Sequence, residues 1–100
     1  MIYITQLIYI QPGEEESFDQ FEAIAIPIIG KYNGELLLRV RPDDRSFIEP
    51  GIERPYEIHL VRFDAEEDFQ RFMRDEERKT VLHLKDRSIR SSVLIRGERL

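Results

Sequence analysis

Three features of this sequence predict a two-layer α+β domain in which one four-stranded antiparallel sheet carries its helices on a single face. Strand-like and helix-like apolar patterns follow one another in the order βαββαβ, turn residues punctuate them, and the first strand is apolar on both sides. The 100 residues are the size of one domain, and residues 1–100 are taken as a single unit.

Ile2 to Ile10 is rich in Ile and Tyr and stops at Pro12-Gly13, a strand followed by a turn. Ile2, Ile4, Ile8 and Ile10 leave one face, and Tyr3, Leu7 and Tyr9 leave the other. Glu14, Glu15 and Glu16 then put negative charge where a helix macrodipole favours it. Phe18, Phe21, Ile24, Ala25, Ile28 and Ile29 make one apolar helical stripe. Pro27 removes a backbone hydrogen bond and is expected to kink the helix, but the spacing carries it to about Lys31, where Asn33-Gly34 supplies a left-handed terminator.

Glu35 to Arg41 reads as the second strand, with Leu36, Leu38 and Val40 opposite Glu35, Leu37, Arg39 and Arg41. Residues 42–55 form a long, proline-bearing connection in which Phe47 and Ile48 are expected to bury, as a lid or as a clasp on a neighbouring subunit. Tyr56 to Phe63 is the third strand. Asp64 is expected to cap the second helix in a capping-box-like pairing with Glu67, ahead of Phe69, Phe72 and Met73. Asp75 to Arg87 continues helically after a bend, and Ser92 to Arg96 is the last strand, ended by Gly97.

This order is the split ferredoxin-like arrangement, with strands in the spatial order 4-1-3-2. Two helices cover one face of such a sheet, yet the first strand is apolar on both, so the second face calls for a partner. A second copy, sheet against sheet about a two-fold axis, predicts a homodimer of the dimeric α/β-barrel kind.

The whole chain resembles the dimeric α/β-barrel superfamily and, within it, the small uncharacterised DUF1330-like domains. The resemblance is carried by Pro27-Ile-Ile-Gly-Lys-Tyr-Asn-Gly34, by Tyr56-Glu-Ile-His-Leu-Val-Arg-Phe63 with Asp64-Ala-Glu-Glu-Asp-Phe69, and by Leu82-His-Leu-Lys-Asp-Arg-Ser-Ile89. Asn33-Gly34 stands where the family usually has Gly-Gly. The resemblance implies the fold and the dimer. That family has no settled activity, and small-molecule monooxygenases and isomerases of the wider superfamily are analogies of fold alone.

Fifteen basic against twenty acidic residues give a net charge of −5, which disfavours nucleic acid and anionic membranes as partners. The imbalance lies in residues 1–50, with 4 basic and 9 acidic groups; residues 51–100 carry 11 of each. There is no cysteine to supply a disulfide, a thiolate or a zinc site. No signal-peptide pattern and no apolar run of membrane-spanning length occur, which predicts a soluble cytoplasmic protein.

Glu57 and His59 leave the same face of the third strand. If that face is turned away from the helices, they project into the space enclosed by the dimer as an acid/base pair. With His83 brought near, they would have the ligand types of a facial-triad iron site; the bland alternative pairs Glu57 with Arg39 or Arg41 and leaves His59 at the dimer interface. His83 and Arg87 share one helix face and present either a donor pair to an anionic ligand or a solvated surface. No Gly-x-Ser-x-Gly, phosphate loop or zinc signature is present.

Two readings follow. In one, a homodimer holds a small, mostly apolar organic ligand beside Glu57, His59, His83 and Arg87, with no metal or cofactor, and works as a cofactor-independent monooxygenase- or isomerase-like enzyme. In the other, it is a non-catalytic binding or assembly module in which the same residues stabilise an interface. An enclosed cavity in the dimer reached by at least two of the four residues favours the first; a filled inter-sheet space with Glu57 paired to arginine favours the second.

Overall fold

A computed structural model describes residues 1–49 and 51–100. Strand β1 (Ile2–Ile10) leads to helix α1 (Glu15–Ile29), a single 3₁₀ turn (Gly30–Tyr32) and β2 (Gly34–Val40). After the long connection come β3 (Glu57–Phe63), the helices α2 (Glu66–Met73), α3 (Glu76–Lys79) and α4 (Leu82–Ser88), and β4 (Ile89–Glu98). The four strands are antiparallel in the order β2-β3-β1-β4, which is the ferredoxin-like order.

The core lies between sheet and helices. Phe18, Phe21, Ala25, Ile28 and Ile29 form the buried stripe of α1, against Ile2, Ile4 and Ile8 of β1 and Val61 and Phe63 of β3. Phe63 meets Phe69 and Phe72 of α2 with ring centroids 5.5 and 5.6 Å apart. Helix α1 runs through Pro27 to Ile29. The carbonyl that the proline leaves without its N–H belongs to Ala23, and both residues are exposed, so water can replace the bond. Asn33 ends this segment in the left-handed region (φ 57°), and its side-chain amide donates to the buried Asp68.

Several boundaries differ from the sequence expectation. Asp64 does not cap α2: the cap position is Ala65, one residue later, and the Asp64 carboxylate accepts from Arg62 Nη1 at 2.7 Å. The 75–87 stretch is two short helices rather than one, and Asp75 accepts the Arg78 backbone N–H at the start of α3. Strand β4 is longer than expected, because Gly97 and Glu98 still pair with Tyr3 and Ile2.

The largest departure is a bulge in β2. Leu36 pairs with Val61 but Leu38 pairs with Leu60, so Leu37 is an extra residue and the alternation inverts beyond it. Leu36 therefore packs towards the helices, while Leu38 and Val40 face the open side opposite Leu60 and Ile58. Arg39 and Arg41, expected opposite Leu36, are turned to the helix side.

The other sheet face is uncovered. Leu38, Val93 and Ile95 are 47, 43 and 53 % exposed, and they share that face with Leu7, Ile58 and Leu60. The molecule measures 36 × 36 × 16 Å, the thickness of one sheet with one helix layer. In the connection, Ile48 is 85 % exposed rather than buried within the protomer.

Candidate functional site between sheet and helices

In β3, alternate residues Glu57, His59, Val61 and Phe63 are all buried, so this is the helix-facing side of the strand. Phe63 anchors that orientation, and Glu57 and His59 follow it inward, away from the open face.

Glu57 is fully buried and surrounded by donors. Arg39 Nε and Arg41 Nε each donate to one of its oxygens at 2.7 Å, and His59 Nε2 bonds the oxygen shared with Arg39. Burial pushes the carboxyl upward, but the bonds from His59, Arg39 and Arg41 outweigh it and hold it down at about 2. The bulge at Leu37 makes this cluster possible by turning both arginines to Glu57; Arg41 also reaches Asp19 of α1 at 2.7 Å. An ionised Glu57 accepts the Nε2 proton of His59, which in the neutral form of the imidazole leaves Nδ1 as the acceptor.

His59 is also in the wall of a cavity of about 140 Å³ between α1, the α2–α4 segment and the sheet. Much of the wall is apolar, with Ile4, Phe21, Ala25, Val61, Phe63 and Phe72 in it. Its polar groups are Gln6, which pairs with His59 across the sheet, together with Glu22, Arg78, Lys85 and Ser92. Glu22 is 6 % exposed, and burial raises its carboxyl above the usual range; His59, Arg39 and Arg78 pull the other way, and Glu57 adds to the rise.

Arg78 is set by Asp75, which ties α3 to the end of the first helical segment. The Asp75 carboxylate accepts from Tyr32 Oη at 2.5 Å, from the Arg78 backbone N–H at 2.9 Å and from Lys31 Nζ at 3.3 Å. The Tyr32 hydroxyl and the Arg78 N–H hold Asp75 at about 2 against the desolvation that raises it.

Of the four residues singled out from the sequence, Glu57 and His59 are joined by a hydrogen bond, His59 alone lines the cavity, and Glu57 is paired to Arg39 and Arg41, the pairing expected of the non-catalytic alternative. His83 is exposed on α4, and Arg87, also exposed, pairs with Glu14 at 2.9 Å. Their shared helix face is turned to solvent, so they do not converge on Glu57 and His59. Among the described residues no group of three or more potential His, Cys, Asp or Glu metal ligands is assembled, and no helix is long and apolar enough to cross a membrane.

Glu22 and Arg78 enter the site without having been singled out. Glu22 had a readable signal, four residues after Phe18 and three before Ala25, within the apolar stripe. Arg78 sits in the charged run Asp75-Glu-Glu-Arg-Lys79, which gives no sign of which side chain turns inward.

No protein-family model matches the chain, and no curated protein matches it. Solved structures do. A protein of unknown function from Rhodopseudomonas palustris superposes with a TM-score of 0.83 at 16% identity, covering 99% of this chain and 82% of that one. A NIPSNAP family protein of unknown function from Agrobacterium tumefaciens gives a TM-score of 0.70 at 18% identity, over 97% and 86% of the two chains. A dimeric ferredoxin-like protein of unknown function from Jannaschia sp. CCS1 gives 0.72 at 14% identity, over 98% of both. At such identities the likeness establishes the ferredoxin-like fold of this chain.

Proposed function

We propose that this protein binds a small, mostly apolar organic molecule in the cavity between helices and sheet and moves a proton on it, as a cofactor-independent, isomerase-like enzyme of the DUF1330-like kind. The observation that carries this reading is the cavity itself, apolar in most of its wall yet holding the buried ionisable side chains of Glu22, His59 and Arg78. Burial raises the Glu22 carboxyl, which eases its protonation, and the protonated group can give a proton; His59, oriented by the ionised Glu57, offers Nδ1 to receive one. Withdrawal at one end of the bound molecule and supply at the other leaves an isomer, and both side chains reset through solvent. Glu57 is a positioning residue in this scheme.

The test is saturation-transfer NMR with a panel of small aromatic and branched aliphatic molecules in D₂O. Binding is expected, together with deuterium incorporation that is lost in His59→Ala, and both are expected to vanish in Ala25→Leu, which fills the cavity. Contacts that persist unchanged in a folded Ala25→Leu would place the ligand elsewhere. Binding without isotope exchange would reduce the protein to a binding module.

We further propose that the chain is a homodimer joined through the open sheet face, as an apolar surface of this kind favours. Light scattering at micromolar concentration is expected to give about 24 kDa, twice the 12.0 kDa chain, and Ile95→Glu with Leu38→Glu is expected to halve it. A wild-type mass of one chain refutes the dimer.

A further inference from the structure

We propose that the molecule bound in the cavity is a small carboxylate, its anionic group held by Arg78 and its apolar body lying against Phe21, Phe63 and Phe72. This rests on reading the cavity as a ligand site and adds the charge of its occupant.

The argument starts from the cost of burying Arg78. The side chain is 7 % exposed, and a guanidinium taken out of water needs a partner charge or a full set of acceptors. Among the described residues no carboxylate bonds the guanidinium; Glu22 and Asp75 act on it only through space, and its acceptors are incomplete. Nη1 donates to the Met73 carbonyl at 3.3 Å, and Nε, fully removed from solvent, has no acceptor. The rings of Phe72 and Phe21, 5.1 and 5.9 Å from the guanidinium carbon, offset part of the cost by cation–π attraction but accept no N–H bond in the guanidinium plane.

A planar carboxylate is the group a guanidinium fork pairs with in two parallel bonds. Lys85, also in the wall, adds a second positive charge. Burial raises the Glu22 carboxyl above its usual range, so a bound carboxylate, which raises it further, can share its proton. The size of the space agrees: an apolar cavity of roughly 150 Å³ holds one benzene ring, and this one is about 140 Å³.

The experiment compares matched pairs at neutral pH by calorimetry: benzoate against benzamide, and isobutyrate against isobutyramide. Each acid is expected to bind the wild-type protein about tenfold or more tightly than its amide, the scale of a charge-assisted bidentate contact. Arg78→Met is expected to abolish that preference while leaving amide binding in place. Arg78→Lys, which keeps the charge but loses Nε and the fork, is expected to fall between and serves if the methionine variant does not fold. Equal binding of acids and amides by the wild type, or an acid preference that survives Arg78→Met, overturns the carboxylate assignment and leaves the ligand cavity standing. Failure of all four probes to bind removes both.

Discussion

Glu57→Gln is expected to cost about 3 kcal/mol of stability at neutral pH, and the deficit is expected to close as the pH falls from about 5 towards 2. The carboxyl sits at about 2 in the folded chain against an ordinary value of 4.5; at about 1.4 kcal/mol per unit that difference is about 3.5 kcal/mol, and the partly exposed arginines reduce it to about 3. A group depressed in this way stabilises the fold fully above its unfolded pKa, and the contribution is lost as the pH drops through the folded one. Glutamine keeps the shape, so no cavity contributes to the loss. What it withdraws is the charge that Arg39, Arg41 and His59 all address. The two arginines are partly exposed and can turn to water, which keeps the cost below that of a fully enclosed ion pair. His59 is buried and has no such outlet. Glu22 acts in the opposite sense: raised by burial, it favours the fold most when protonated and less as the pH rises past the usual carboxylate range. Urea midpoints of wild type and variant between pH 3 and pH 7 check the expectation; coincident curves across that range would show that Glu57 contributes through its shape and not its charge.

The order of elements was legible because each depends on local pattern: the Ile/Tyr run of β1, the Phe18-to-Ile29 stripe, and the turn at Asn33-Gly34. The site was legible only in part. Glu57 and His59 share a face by alternation alone, but β3 has apolar residues on both sides, Ile58 and Leu60 against Val61 and Phe63, so alternation cannot say which side meets the helices. Packing decides it through Phe63, the largest side chain of the strand and 1 % exposed. The bulge at Leu37 was hidden for a related reason. Leu36-Leu37-Leu38 is apolar throughout and reads equally well in either register, so the turn of Arg39 and Arg41 towards Glu57 has no local signature. Arg78 depends on a contact between segments far apart in sequence, Tyr32 and Lys31 to Asp75, which fixes the α3 turn.

Gly34→Ala is expected to lower stability by about 2 to 3 kcal/mol through overcrowding, although the residue stands in a turn-to-strand position where alanine is ordinarily tolerated. In the Asn33-Gly34 pair it is Asn33 that takes the left-handed conformation. Gly34 is required for a different reason. It pairs across the sheet with Phe63, and a Cβ on it would lie 2.6 Å from Phe63 Cε1 and 2.7 Å from Ile29 Cγ2. Neither neighbour can yield, since the Phe63 ring is held by Phe69 and Phe72 and Ile29 is buried at the end of α1. If the ring is the obstacle, removing part of it relieves the crowding. Phe63→Leu, destabilising by itself because it opens space in the core, is then expected to cost about 1 kcal/mol less in the Gly34→Ala background than in the wild type. Denaturant midpoints of the two single variants and the double variant measure that coupling. Strict additivity would mean that strand β2 shifts away from the helices instead, and in that case the Arg39 and Arg41 bonds to Glu57, carried on the same strand, would be the first to lengthen.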